Sequence, residues 1–195
     1  MRIIAGIAKG RTLATVAGAT RPTSDRAREG LFSSLLSEFG DFTALNVLDL
    51  FAGSGAIGLE ALSRGAGLVH AVEKNEAACK TITKNAALVS SAKTLANSLG
   101  EFHLYSMSAE RFLAIPTPTK YDIVYLDPPY DFSDAELYKH LVQLRAGQFL
   151  QEDAMIAVER ASKAGPMKWP SGYESIRERS YGQGVIYYGK LAQNG

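Results

Sequence analysis

An α/β fold with a mostly parallel sheet covered on both faces is predicted by three observations. Between residues 46 and 159, short apolar runs alternate with stretches of helical periodicity, the pattern that strand–helix–strand units leave in a chain. A glycine-rich turn, Gly53-Ser54-Gly55, joins the first of these runs to the helical stretch after it. Carboxylates stand where three of the runs end: Asp49, Glu73 and Asp127.

The elements follow in order. Ile3 to Ile7 and Thr12 to Val16 flank Ala8-Lys9-Gly10-Arg11, which reads as a short β-hairpin with a basic tip. Thr23 or Ser24 suits an N-cap, and a helix is expected to about Leu36, with Ala27, Leu31 and Leu35 at spacing four facing the core. Strands are then expected at 47–50, 69–73, 102–105, 121–126 and 154–159, with helices at 56–63, 76–89, 109–113 and 134–145. The tail changes character: Tyr173–Ser180 and Val185–Leu191 are strand-like and separated by Tyr181-Gly182-Gln183-Gly184, a hairpin signal. One domain is expected at 41–195, carrying a hairpin and helix extension at 1–40.

A chain of 195 residues with 46% hydrophobic side chains can bury a substantial core. No apolar stretch approaches the roughly 20 residues of a membrane span, and Met1-Arg2-Ile3-Ile4-Ala5-Gly6 lacks the apolar core of a secretory signal. One cysteine, Cys79, rules out an internal disulfide and a cysteine-based zinc site. A cytoplasmic location is therefore expected, with no metal and no membrane. Net charge is only +1, but its distribution is uneven. Arg2, Lys9, Arg11, Arg21, Arg26 and Arg28 face only Asp25 and Glu29 in the first 30 residues, and Arg160, Lys163, Lys168, Arg177 and Arg179 form a late group. On one side of a fold these would make a phosphate-binding footprint; on separate sides they are solvated faces.

The turn Asp49-Leu50-Phe51-Ala52-Gly53-Ser54-Gly55-Ala56-Ile57-Gly58 allows close approach of a ligand to the backbone. Glu73, about 20 residues on, is placed to accept hydrogen bonds from ribose hydroxyls. Spacing alone would also suit a dinucleotide. A fixed negative charge at Asp49 disfavours a pyrophosphate and favours an ammonium, so S-adenosylmethionine is the expected cofactor. Groups after the third parallel strand, Ser108 and Ala109 among them, would meet its adenine; Ser108 also reads as a helix N-cap.

Asp127-Pro128-Pro129-Tyr130 closes an apolar strand. Prolines fix φ and remove donors, a carboxylate and a carbonyl accept from an amine, and a phenol ring stacks on a flat base. This suits methylation of an exocyclic amine, whose lone pair is otherwise shared with the ring. Catalysis would then be largely alignment, on a base out of its stack.

With these residues in view, the chain resembles the bacterial 16S ribosomal RNA guanine-N(2)-methyltransferases of the RsmD type. The likeness runs through Arg2-Ile3-Ile4-Ala5-Gly6, Lys9-Gly10-Arg11, Thr20-Arg21-Pro22-Thr23-Ser24-Asp25-Arg26-Ala27-Arg28-Glu29-Gly30-Leu31-Phe32, Val47 to Gly55, Leu59 to Ala66, and Asp127 to Tyr130. The last motif is common to many amino-group methyltransferases; the Arg-Pro-Thr block is more specific. The resemblance implies a class I, Rossmann-like methyltransferase fold with a seven-stranded sheet, and transfer of one methyl group to a guanine amine in 16S rRNA of the small (30S) subunit or its assembly intermediate, by a monomer. It implies a cofactor site of Thr23, Asp49, Phe51, Gly53, Ser54, Gly55, Glu73, Lys74, Ser108 and Ala109. It also implies a catalytic shelf of Asp127, Pro128, Pro129 and Tyr130, and an RNA grip by the basic N-terminal residues. Many relatives of this type carry an aspartate where Ser108 stands. Alternatives are an amino methyltransferase acting on adenine in DNA, on another RNA or on a glutamine side chain, an NAD-linked oxidoreductase, and a catalytically silent RNA-binding module. Trp169 could stack on a base or pack against the fold.

Overall fold

The computed structural model describes residues 1–16, 25–93, 98–129 and 131–193. Its helices are α1 (Asp25–Phe39), α2 (Ala56–Ser63), α3 (Glu76–Ser90), α4 (Ala109–Leu113) and α5 (Asp134–Ala146). Its strands are β1 (Asn46–Asp49), β2 (Leu68–Glu73), β3 (Glu101–Ser106), β4 (Tyr121–Leu126), β5 (Leu150–Ala161), β6 (Tyr173–Tyr181) and β7 (Gly184–Leu191). They form one seven-stranded sheet in the order β3-β2-β1-β4-β5-β7-β6. Strands β1 to β5 are mutually parallel, while β7 runs antiparallel to β5 and β6 antiparallel to β7.

Period-two alternation sorts the strand side chains onto two faces. Val47, Ile123, Tyr125, Met155 and Ala157 join Leu31, Phe32 and Leu35 of α1 and Ile57, Leu59 and Leu62 of α2 in one core. Leu48, Val124, Leu126, Ile156 and Val158 point the other way, to Phe112 of α4 and Leu137, Leu141 and Leu144 of α5. The elements expected between residues 46 and 191 are all present. Only β5 departs by more than a residue or two, beginning at Leu150 rather than Ala154. Its opening, Gln151-Glu152-Asp153, is polar and half-buried or exposed, and the β4–β5 register shifts between Tyr121 and Ile123. Trp169 packs within the fold: its ring stands 5.9 Å from that of Tyr173 and over Gly189, where a Cβ would come within 2.6 Å of it.

The N-terminal hairpin is shorter than expected, which corrects its bounds. Among the described residues, residues 1–13 hold one antiparallel bridge, Arg2 to Thr12, framed by Ile3 N–H to Arg11 O and Leu13 N–H to Met1 O, both 2.9 Å. The segment from Ile4 to Ala8 is not a strand, because its donors go elsewhere. Ile4 and Ala5 N–H donate to the Glu60 carboxylate at 2.7 and 3.0 Å. Ile7 N–H donates to the Ser63 carbonyl at 2.8 Å and Ala8 N–H to Ser63 Oγ at 3.0 Å. Gly6 passes so close to α2, with φ +81°, that a Cβ would lie 1.7 Å from the Ser63 carbonyl oxygen. Glu60 is fully buried and also accepts from Arg64 Nε at 2.8 Å.

Arg28 is a second correction. It stands among the residues expected to face RNA, yet it is fully buried, donating to the Arg2 carbonyl at 3.0 Å and to Asp25 Oδ1 at 2.7 Å. A guanidinium with no solvent access cannot meet a phosphate, so it braces α1 against the N-terminal segment. The expected N-cap, Thr23 or Ser24, lies outside the described residues, as do Arg21 and Tyr130.

Replacing Glu60 by Ala orphans two backbone donors and Arg64, and should cost about 3 kcal/mol of stability in urea unfolding. Gly6→Ala leaves that ion pair intact and should also destabilise, through the clash with α2.

Candidate active site

The chain lays down β1, β2 and β3 outward in one direction, then returns to place β4 against the other side of β1. The helix after β1 leaves on one face of the sheet and the helix after β4 on the other. Carboxyl ends at such a reversal bound a crevice. Asp49, Glu73, Ser106 and Leu126-Asp127 all stand at this edge.

The glycine turn forms the crevice's near wall. Leu50 N–H donates to the Tyr125 carbonyl and Ala52 N–H to the Val72 carbonyl, both at 3.0 Å, so the turn is tied to β4 and β2 at once. Gly53 (φ +55°) and Gly55 (φ +77°) adopt left-handed backbone, and Gly55 opens α2. Gly53 N–H donates to Glu73 Oε2 at 2.9 Å, while Asn75 N–H donates to Oε1 at 2.7 Å. Each Glu73 oxygen thus keeps capacity for a further donor. Asn85, buried on α3, holds the turn from behind. Its amide donates to the Ser54 carbonyl at 2.9 Å and the Ala14 carbonyl at 3.0 Å, and accepts from Ala14 N–H at 2.8 Å.

Asp49 lies beneath the turn, 1% exposed. Oδ2 accepts from Gly58 N–H at a long 3.3 Å, and Oδ1 has no hydrogen-bond partner among the described residues. Burial pushes its carboxyl up to about 7; the Gly58 N–H opposes the shift, the negative charge of Glu73 adds to it, and the more weakly placed Phe51 N–H opposes it slightly. A buried carboxylate oxygen without a donor is what a cation at this turn would satisfy.

A cleft of about 540 Å³ runs along these strand ends. It brings together Phe51, Gly53, Glu73, Lys74, Ser108, Ala109, Asp127 and Pro129 of the expected site. Ser54 and Gly55 shape the turn without lining the cleft, and Pro128 lines a second, smaller cleft on the far side of the shelf. Asp127, Pro129 and Phe132 line both clefts. Ser108 caps α4, accepting from Arg111 N–H at 3.2 Å, and still presents itself to the cleft. Thr23 and Tyr130 fall outside the described residues.

Several wall residues were not expected from sequence. Leu50 and Val72 supply an apolar surface at the ends of β1 and β2, and it is continued by Met107, from the stretch after β3 that was expected to meet the adenine. Phe132 and His140 join Phe51 in an aromatic cluster, with ring centroids 5.2 Å apart for Phe51–Phe132 and 5.3 Å for Phe132–His140. Lys139 and Glu110 pair at 2.7 Å on the rim. Phe132 follows the proline shelf by two residues, whereas Lys139 and His140 reach the cleft only through the packing of α5.

Comparison with known proteins bears on what the crevice holds. The family model described as Conserved hypothetical protein 95 matches residues 1–190. The chain is 34% identical over 196 residues to ribosomal RNA small subunit methyltransferase D of Haemophilus influenzae, spanning 100% of this chain and 94% of that one. It is 35% identical over 184 residues to the protein of the same name from Escherichia coli K12, spanning 94% and 86%. The chain belongs to this RsmD family. Among solved structures, the Escherichia coli protein yhhF superposes with a TM-score of 0.81 at 33% identity, covering 99% of each chain. A hypothetical protein of Thermus thermophilus gives 0.78 at 25% identity, covering 98% and 99%.

This RsmD-family chain has the class I methyltransferase fold and is an S-adenosylmethionine-dependent methyltransferase. Its crevice fits that cofactor: a buried carboxylate oxygen at the turn with no partner among the described residues, a carboxylate stapled at the end of β2, and an apolar wall beyond it. No helix among the described residues is long and apolar enough to cross a membrane.

An ammonium beside Asp49 favours its ionised form. Since the free protein holds that carboxyl up near pH 7, cofactor binding between about pH 5.5 and 6.5 should release a proton, measurable by calorimetry in buffers of different ionisation enthalpy. Affinity should rise up to about tenfold per pH unit over that range. D49N should bind more weakly and lose both effects.

Proposed function

We propose that the protein transfers one methyl group to the exocyclic amine, N2, of a single guanine in 16S rRNA of the small ribosomal subunit or its assembly intermediate. The observation that carries this reading is the shared wall of the two clefts. Asp127 and Pro129 face the cofactor crevice on one side and a second, smaller recess on the other. The names of relatives 34 and 35% identical over most of the chain supply the substrate class.

Bound S-adenosylmethionine supplies an electrophilic methyl group on a sulfonium. The protein's part is to hold a poor nucleophile in line with it. The Asp127 carboxylate and the Pro128 carbonyl accept from the two amine hydrogens, which turns the nitrogen lone pair toward the crevice. Asp127 is also placed to take the proton that the nitrogen sheds once methylated. Pro128 and Pro129 fix the backbone so that both acceptors stay put. Tyr130 stacks on the base. Asp49, Glu73 and the Gly53 to Gly55 turn, with Phe51, Lys74, Ser108 and Ala109, hold the cofactor; Thr23 reaches its methionine end. Residues 1–40 serve as an RNA-facing extension of the methyltransferase domain at 41–195.

The RNA grip rests on the exposed Arg2, Lys9 and Arg26, with Arg21. Arg11 is partly committed: its guanidinium donates to the Leu88 carbonyl at 3.0 Å and to Ser91 Oγ at 2.7 Å. The enzyme acts as a monomer in the cytoplasm, on assembled particles in preference to bare RNA.

The test is methyl transfer from labelled cofactor to small subunits, naked 16S rRNA and DNA. Small subunits should be the best acceptor; methylation of DNA alone overturns the reading. D127A should lower turnover on the order of 10²–10⁴-fold while cofactor affinity stays within a few-fold. Reversing charge at Lys9 and Arg26 should weaken RNA binding and flatten its salt dependence.

A further inference from the structure

The recess beyond the shelf is lined by Asp127, Pro128, Pro129 and Phe132 on one side and by Glu159, Arg160, Ala161, Ala164 and Gly184 on the other. Neither the turn chemistry nor the amine clamp uses Glu159. The sheet register explains its placement. Leu126 of β4 lies opposite Val158 of β5, so the next residues, Asp127 and Glu159, leave the two strands at the same level. Parallel partners at one level project to the same face. Two carboxylates are therefore offered to one recess from neighbouring strand ends.

Glu159 is also held in place. The Tyr125 hydroxyl donates to Glu159 Oε2 at 2.6 Å. On the neighbouring strand β7, Gly184 stands close by: a Cβ there would lie 3.1 Å from Glu159 Oε1, tighter than ordinary contact. A carboxylate offers about four lone-pair positions, so it can keep the Tyr125 hydroxyl and accept from a ligand.

We propose that Glu159 reads the target base, accepting a hydrogen bond from guanine N1–H while Asp127 and the Pro128 carbonyl hold the adjacent N2 amine. This rests on the guanine-amine reading above and adds what selects guanine. Three of the four RNA bases carry an exocyclic amine. Adenine and cytosine present a ring nitrogen lone pair beside theirs, and only guanine presents a ring N–H. An acceptor in the recess therefore pairs with guanine and faces a lone pair on the other two. A site built to hydrogen-bond one partner rejects an analogue that leaves the buried group unpaired far more strongly than a shape filter does. Tyr125 is the positioning residue that aims the carboxylate.

The experiment compares small subunits reconstituted with guanine or 2-aminopurine at the target position. 2-Aminopurine keeps the 2-amine but has an unprotonated N1. Wild type should prefer guanine by at least about 100-fold in kcat/KM. E159Q keeps the size of the side chain and an acceptor for Tyr125, and its amide can donate to N1 of 2-aminopurine. The preference should fall at least tenfold in E159Q, with cofactor affinity unchanged, and Y125F should shift it partway. An equal loss on both substrates, leaving the ratio as in wild type, marks Glu159 as structural and overturns the proposal. So does a wild type that uses 2-aminopurine within threefold of guanine, a result that needs no variant. Wild type placing its methyl group on an atom other than guanine N2 would instead overturn the guanine-amine reading, and the two failures are told apart by mapping the product.

Discussion

Everything in this molecule that touches chemistry depends on the chain's return from the sheet edge to its centre. Because β4 comes back beside β1, helices leave the two strands on opposite faces, and their carboxyl ends are left with a crevice between them. Beneath the glycine turn at this crevice lies Asp49, buried and with Oδ1 lacking a donor among the described residues. That carboxyl is costly to ionise without a cation, and its upward shift to about 7 records the cost. A sulfonium donor bearing an ammonium group resolves that tension in a way that a dinucleotide phosphate does not.

Rigidity is built outward from this turn. Glu73 staples the glycine turn to β2, Leu50 ties it to β4, and Asn85 grips it from α3 while holding Ala14 of the N-terminal segment. The same N-terminal segment is fastened to α2 through Glu60 and Ser63. The surface proposed to meet RNA and the turn that seats the cofactor therefore share supports, although they are distant in sequence.

Much of this was legible in the chain. Alternating apolar runs with glycine or proline at their ends mark out the sheet and its helices, since burial on two faces demands that pattern. Gly53, Gly55, Glu73 and Asp127 were legible because turn geometry and strand-end carboxylates carry local signals. What escaped was long-range. Ile3-Ile4-Ala5-Gly6-Ile7 looks like a strand, but a buried glutamate on α2 takes its donors. Arg28 reads as a surface charge and is wholly buried. The aromatic wall of Phe132 and His140 depends on how α5 packs, and Glu159 gains its meaning only from the β4–β5 register.

The central claim is that two clefts meet at one shelf and deliver a methyl group to a guanine amine. Mass-spectrometric mapping of 16S rRNA from small subunits of a strain lacking this gene, before and after incubation with the purified enzyme and cofactor, tests it most directly. The account predicts one new N2-methylguanosine at a single position. A methyl group on a ring nitrogen, on ribose or on another base would contradict it.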